Sequence, residues 1–230
     1  ILEESNKVIT ISQVDKDRLL KQQSLSDLIH GKVELIPNGV DPFWVSNITP
    51  KKDKIEPKLI YVGKFNKGKN VINLILAVLF LKDKYPDIKL QLIGGGGSEQ
   101  EKIKKLIKIH SDTLSYKDKI SNKEVLCKYY QSNYIFAMPS KHETFGLVYI
   151  EALLQGLPVL YTQQEGIDGS YDNSIGEKIE NFSKYEIADK IEKIIDNYDQ
   201  YDFNQQYIAN NHNWKNIAIQ YFNIYNDSIK

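Results

Sequence analysis

From residue 59 onward the chain alternates short, near-continuous apolar runs with longer amphipathic stretches, and this alternation restricts its fold more than any other feature. The runs at 59–62, 88–93, 134–138 and 159–161 read as strands buried on both faces. The stretches at 70–85, 98–110, 122–131, 145–155 and 184–197 read as helices, and Gly156 and Pro158 stop the fourth of them. Apolar strands alternating with helices predict an α/β fold with a doubly wound parallel sheet covered on both faces. Such sheets bind ligands beyond the carboxyl ends of their strands, near the reversal in strand order. The loops after Val62, Ile93 and Met138 are therefore where chemistry is expected.

The flanks are less regular. Residues 8–12 and 33–36 read as strands, with a helix over 15–23 between them and a turn signal at Pro37-Asn38-Gly39. Residues 41–57 carry Pro42, Pro50, Pro57 and several lysines, which predicts a loop and a domain boundary. Residues 214–228 read as a closing helix with apolar residues at Ile217, Tyr221, Ile224 and Tyr225. A length of 230 residues fits one domain plus an appendage. The sole methionine is Met138 and the chain opens on Ile1, so a processed product or a piece of something longer is expected.

Composition removes several classes of function. Lys+Arg and Asp+Glu balance at 30 each, so no net field draws the chain to nucleic acid or anionic lipid. Cys127 is the single cysteine, which excludes an internal disulfide framework and a Cys-rich zinc site. No apolar run is long enough to span a bilayer. No signal-peptide pattern opens the chain, and a cytoplasmic location is the expectation.

Three loops could carry chemistry. The first, residues 63–70, follows a strand, holds Lys64, Lys67 and Lys69, and ends on Asn70 as an N-cap. It is either a phosphate site at a helix start or a set of solvated lysines. The second, Gly94 to Gly97, lets a backbone approach a ligand or simply makes a tight turn. It does not fit G-x-G-x-x-G with an acidic residue about twenty positions on, which disfavours a nicotinamide. The third runs from Pro139 to Val159. Glu151 shares a helix stripe with Leu147, Ile150 and Leu154, where a carboxylate is costly unless partnered. Either a buried lysine pairs with it or a ligand's hydroxyl groups do. Glu143 stands at the helix start, where the dipole favours its charge. His142 beside it reads as a base or as polar surface, and His30, His110 and His212 have no metal-site context. The 15 tyrosines are scattered and read as half-buried packing.

Two glutamates with seven residues between them, set in Pro-Ser-x-x-Glu-x-Phe-Gly-Leu-x-x-x-Glu-Ala-x-x-x-Gly-x-Pro-Val, resemble the signature of the group 1 glycosyltransferases. These are retaining, nucleotide-sugar-dependent enzymes of glycosyltransferase family 4 with the GT-B fold. Other landmarks agree in order. Leu59 to Lys64 followed by Lys69-Asn70, Leu90 to Gly97, Ile36 to Asp41, Gly166 to Gly169 and Trp214 to Ile229 each resemble a family segment. The resemblance implies the Rossmann-like C-terminal half of that fold. Residues 1–45 would then end the N-terminal acceptor lobe and its crossover, 46–212 would bind the nucleotide sugar, and 213–230 would close the molecule. About one further domain, ~150 residues, would precede Ile1, and this piece alone would bind donor but transfer little.

The resemblance also implies roles. Lys64 and Lys69 match the basic pair on the donor diphosphate, Glu151 the glutamate that accepts the ribose hydroxyls, and Glu143 the glutamate beside the transferred sugar. Glu143, Lys64 and Lys69 are the catalytic candidates. Gly63, Gly95, Gly96, Thr144, Phe145, Gly146, Leu147 and Glu151 are the donor-binding ones. Lys64 stands where the family usually has arginine, and lysine lacks the bidentate fork, so the diphosphate contact is looser or differently arranged. Residues 114–120 lack the glycine that usually borders the base, which leaves a UDP- and a GDP-sugar both open. No cofactor and no metal are expected, since no Asp-x-Asp motif stands in these loops. The implied partners are the nucleotide-sugar donor and a glycan or lipid-linked acceptor held mainly by the missing lobe. Peripheral membrane association of the full protein is compatible with them. Rival expectations are an epimerase or phosphorylase of the same architecture, and a non-catalytic nucleotide-sugar-binding subunit.

Overall fold

The computed structural model describes residues 4–229. An N-terminal segment holds β1 (Val8–Thr10), α1 (Gln13–Lys21), α2 (Gln23–Ile29) and β2 (Val33–Leu35), with β1 and β2 paired in parallel. Ser12 opens α1 by accepting the Asp15 N–H at 3.1 Å. The helix expected over 15–23 is in fact two, because Gln22 is extended and breaks the run. A short helix α3 (Pro42–Ser46) interrupts the expected loop. Asp41 caps it through the Phe43 N–H, and Pro42 sits at the first position, where no N–H is needed. Trp44 carries α3 into the core at 2% exposure.

The main body contains β3 (Lys58–Gly63), α4 (Val71–Leu81), β4 (Lys89–Gly94), α5 (Gln100–Ile109), β5 (Leu114–Lys117), α6 (Lys123–Gln131), β6 (Ile135–Ala137), α7 (Leu147–Leu154), β7 (Val159–Thr162), β8 (Gly176–Ile179), α8 (Lys184–Asp196), α9 (Gln205–Asn211) and α10 (Trp214–Ile229). The strands form one parallel sheet in the order β5-β4-β3-β6-β7-β8. This is the doubly wound α/β sheet that the apolar alternation predicts. The order reverses between β3 and β6, so the crevice of the switch point opens there. Strands β5 and β8 and helix α9 lie outside the sequence expectations. The two strands sit at the sheet edges and are only partly buried, so they lack the continuous apolar run that marks β3 or β7.

The core is built from period-matched faces. Along α4 the buried residues are Val71, Leu74, Ile75, Ala77, Val78 and Leu81, and along α8 they are Ile187, Ala188, Ile191, Ile194 and Ile195. These two helices pack on each other. Several tyrosines expected to be half-buried are fully enclosed, among them Tyr61, Tyr130 and Tyr149. At the other end, α10 starts against the turn before α3. A Cβ on Gly39 would come within 2.5 Å of the Trp214 ring. Among the described residues no helix is long and apolar enough to cross a membrane.

Candidate functional site

Strands β3 and β4 end in register, with Gly63 beside Gly94. Gly94 has φ +136°, and a Cβ there would sit 1.9 Å from the Gly63 carbonyl oxygen. Only glycine lets the two strand ends lie this close and turn away together. Below them the buried Tyr61 hydroxyl donates to the Lys64 carbonyl at 2.7 Å. That bond fixes the backbone of the loop while the Lys64 side chain stays exposed. Residues 67–69 make a single 3₁₀ turn closed by Asn66, whose side chain accepts the Lys69 N–H at 3.0 Å. Asn70 is not a side-chain cap as expected. It takes a left-handed backbone (φ 55°) and its amide donates to the Phe182 carbonyl at 3.2 Å. The residue turns the chain into α4, and its Oδ1 accepts the Asn73 side-chain amide at 2.9 Å rather than a backbone N–H.

A cleft of about 310 Å³ opens over these strand ends. Its walls include Val62, Ile93, Ile120, Leu126 and Val148, with Gly63, Lys64, Gly95, Lys119 and Glu151 as its polar or open positions. Glu151 has no lysine partner. The only hydrogen bond to its carboxylate among the described residues comes from the Tyr130 hydroxyl at 3.1 Å. Burial pushes its carboxyl up to about 7, a rise that the Tyr130 bond moderates. Tyr130 is itself held edge-on by Trp44 at 5.6 Å and touches Phe136 at 6.1 Å. So α3, in a stretch expected to be loop, braces the one group that faces Glu151. Of the two alternatives for Glu151, a buried ion pair is the one the structure removes.

A second, more polar cleft of about 390 Å³ is lined by Asp15, Arg18, Lys69, His142, Glu143, Thr144 and Glu165. Lys69 Nζ lies 2.5 Å from Glu143 Oε2, with both side chains mostly covered. Lys64 and Lys69, expected as a pair, therefore line different clefts, and Lys69 faces a glutamate. The His142 side chain is 91% exposed. Helix α7 begins just beyond, at Leu147 rather than Phe145. Gly146 supplies the bend with φ +77°, where a Cβ would strike the Tyr149 ring at 2.6 Å. In the first turn of α7 the Tyr149 N–H bonds the Gly146 carbonyl at 2.9 Å, which leaves the N–H groups of Leu147 and Val148 for an acceptor outside the helix. Leu147 is exposed there and Thr144 lies at the surface. Phe145 is buried and packs against His212 at 5.4 Å. Gly96 lies outside both clefts. Its carbonyl accepts the Phe65 N–H at 2.9 Å and its own N–H bonds the Gln100 side chain.

Lys119, Arg18 and Glu165 in these clefts, and Tyr130 buried behind Glu151, have no place among the sequence expectations. Tyr130 was legible as an aromatic on the buried stripe of α6, with no hint of its partner. Arg18 was conspicuous as the only arginine in the chain. Nothing in sequence ties it to residue 165. Among the described residues no group of three or more His, Cys, Asp or Glu side chains could hold a metal ion.

A model of the family described as glycosyl transferases group 1 matches residues 46–214. The chain is 27% identical over 222 residues to a D-inositol 3-phosphate glycosyltransferase of Corynebacterium jeikeium, covering 84% of this chain and 52% of that protein. It is 31% identical over 152 residues to the alpha-monoglucosyldiacylglycerol synthase of Acholeplasma laidlawii, covering 60% and 38%. Among solved structures, the sucrose-phosphate synthase from Thermosynechococcus elongatus matches with a TM-score of 0.74 at 24% identity, over 99% of this chain and 59% of that one. The pneumococcal O-GlcNAc transferase GtfA, in complex with UDP and GlcNAc, matches with a TM-score of 0.76 at 20% identity, over 97% and 45%. At such identities these two speak for the fold. The chain spans about half the length of these relatives. The matched span takes in both glutamates, all three expected loops and the whole six-stranded sheet, and the chain belongs to the group 1 glycosyl transferases.

Proposed function

We propose that this chain is the donor-binding half of a retaining glycosyltransferase, with the nucleoside of a UDP- or GDP-sugar lying in the cleft between Gly63 and Glu151. The observation that carries this is Glu151: a carboxylate in a cleft with apolar walls, with a tyrosine hydroxyl bonded to it and, among the described residues, no cation within ion-pair distance. A ribose diol is the kind of partner such a group lacks, since two hydroxyls can donate to its two oxygens. Gly63 and Gly95 leave room for the nucleotide against the strand ends.

The remaining roles follow from charge. Departure of a nucleoside diphosphate develops negative charge, which a preorganised cationic surface stabilises. Lys64, Lys69 and the N-terminus of α7 at Gly146 and Leu147 supply it, and Thr144 and the Phe145 backbone flank the approach. Lys69 now pairs with Glu143, so an arriving diphosphate shares that ammonium and leaves the Glu143 carboxylate directed at the sugar. The acceptor, a glycan or a lipid-linked saccharide, meets the donor from a second lobe. This chain alone binds donor and transfers little.

A thermal-shift panel of nucleotide sugars, followed by product analysis of the full native protein, tests this. The expected result is stabilisation by one nucleotide class and a product that keeps the anomeric configuration of the donor. Free isomerised sugar, or turnover that requires phosphate, contradicts the transferase reading. No stabilisation by any nucleotide contradicts the donor site.

A further inference from the structure

Glu165 belongs to none of the motifs above, yet both of its carboxylate oxygens are committed. Oε2 accepts the backbone N–H of Glu143 at 2.8 Å, and Oε1 accepts Nη2 of Arg18 at 2.7 Å. The Glu165 side chain is only 13% exposed. The same guanidinium nitrogen donates to the Gln164 carbonyl at 2.6 Å. Gln164 is one of two non-glycine residues with positive φ among the described residues, at +58°, and its N–H is bonded by Asp168 Oδ2 at 2.7 Å. A backbone in that region persists only where its surroundings hold it. The Gly166 N–H then donates to the Glu143 carbonyl at 2.8 Å. Both backbone groups of Glu143 are thus bonded by residues 165 and 166, while Lys69 holds its side chain.

The charges explain why the clasp has consequences. Three carboxylates and two cations share one cleft: Glu143 pairs with Lys69 at 2.5 Å, while Arg18 takes Glu165 at 2.7 Å and Asp15 at 3.9 Å. Without Glu165, Arg18 keeps Asp15 at 3.9 Å and the Gln164 carbonyl, while the Glu143 N–H loses its acceptor. The Glu143 backbone is then held on one side only, by the Gly166 N–H, and its carboxylate is free to swing about Lys69. We propose that Glu165, held by Arg18, is a positioning residue that sets the direction of the Glu143 carboxylate, so that the N-terminal segment acts on turnover through α1. This rests on the reading of Glu143 as the glutamate facing the donor sugar.

The test is steady-state kinetics of the full native protein with the nucleotide sugar it turns over, together with hydrogen exchange of the Glu143 amide. Glu165→Ala is expected to lower kcat about ten- to hundredfold with the donor KM within about twofold, as misplacement of a reacting group does. Glu165→Gln, whose amide oxygen still accepts the Glu143 N–H, is expected to recover most of that loss. Arg18→Ala with Glu165→Ala is expected to be no slower than Glu165→Ala alone. Unchanged kcat in Glu165→Ala, a raised donor KM at constant kcat, a Glu165→Gln variant as slow as the alanine, or additive losses would each overturn the proposal. If Glu165→Ala does not fold, Arg18→Ala, at a half-exposed position, carries the same kcat test. If the native protein turns over no nucleotide sugar, the donor reading falls. Faster Glu143 amide exchange in Glu165→Ala, restored in Glu165→Gln, then still decides the clasp, and exchange equal to wild type refutes it.

Discussion

At the scale of single residues, Glu151 concentrates the chemistry. Its carboxyl is raised to about 7 by burial, above its ordinary value of 4.5. In the free protein the folded state therefore binds more protons than the unfolded one between those two values. The Glu151 contribution to stability should fall as pH rises across that window, by roughly 3 kcal/mol in total; it is read as the difference between the native protein and the Glu151→Gln variant, because His212, whose pKa burial lowers, contributes the opposite slope in both. Urea titrations at pH 5 and pH 8 measure this. Donor binding has the opposite sense, because ribose hydroxyls donate to the charged carboxylate: affinity should rise with pH through about 7. Tyr130→Phe removes the hydroxyl that holds the carboxyl down, so the midpoint of that affinity profile should move up. The sequence set Glu151 on one stripe with Leu147, Ile150 and Leu154, of which Ile150 and Leu154 are buried and Leu147 is exposed. It could not show whether a lysine or a tyrosine meets Glu151, because Tyr130 is brought there by α6, 21 positions away in the chain with a strand between.

At the scale of elements, the loops at the strand ends are set by contacts that leave no room for a side chain. Gly94→Ala would place a Cβ against the Gly63 carbonyl in a backbone region that side chains rarely adopt. The β3–β4 register must shift, and a loss of about 3 kcal/mol or more is expected in chemical denaturation, with donor affinity falling alongside. Gly96→Ala, at a position with nothing within 4 Å, should cost only the strain of its φ of +70°, about 1–2 kcal/mol, and spare affinity. The buried strands and their helices were legible because a two-sided sheet demands unbroken apolar runs. Edge strands β5 and β8 were not, since half-exposed pairing tolerates residues such as Ser115 and Lys178. Helix α3 was hidden by Pro42, which reads as a breaker unless Asp41 before it is recognised as a cap.

At the scale of the whole molecule, the N-terminal segment and the chain leading into the C-terminal helix converge beside the loop that follows β6. His212 joins them: its ring nitrogens bond the Asn38 carbonyl at 2.7 Å and the Tyr171 hydroxyl at 2.6 Å, while its face meets Phe145. None of these partners is near another in sequence, so no spacing could have announced them. The same holds for Arg18 and Glu165, 147 positions apart. The motif spacing identified the helix that carries Glu151 and the loop before it that carries Glu143, and folding decided which groups surround each of them. The donor-lobe assignment is tested most directly by calorimetric titration of UDP- and GDP-sugars into this chain and into its Glu151→Gln variant at pH 8. It predicts that one nucleotide class binds and that the variant binds it at least about tenfold more weakly, the cost of about one charged hydrogen bond. Equal affinity in the two proteins, or no binding to either, would contradict it.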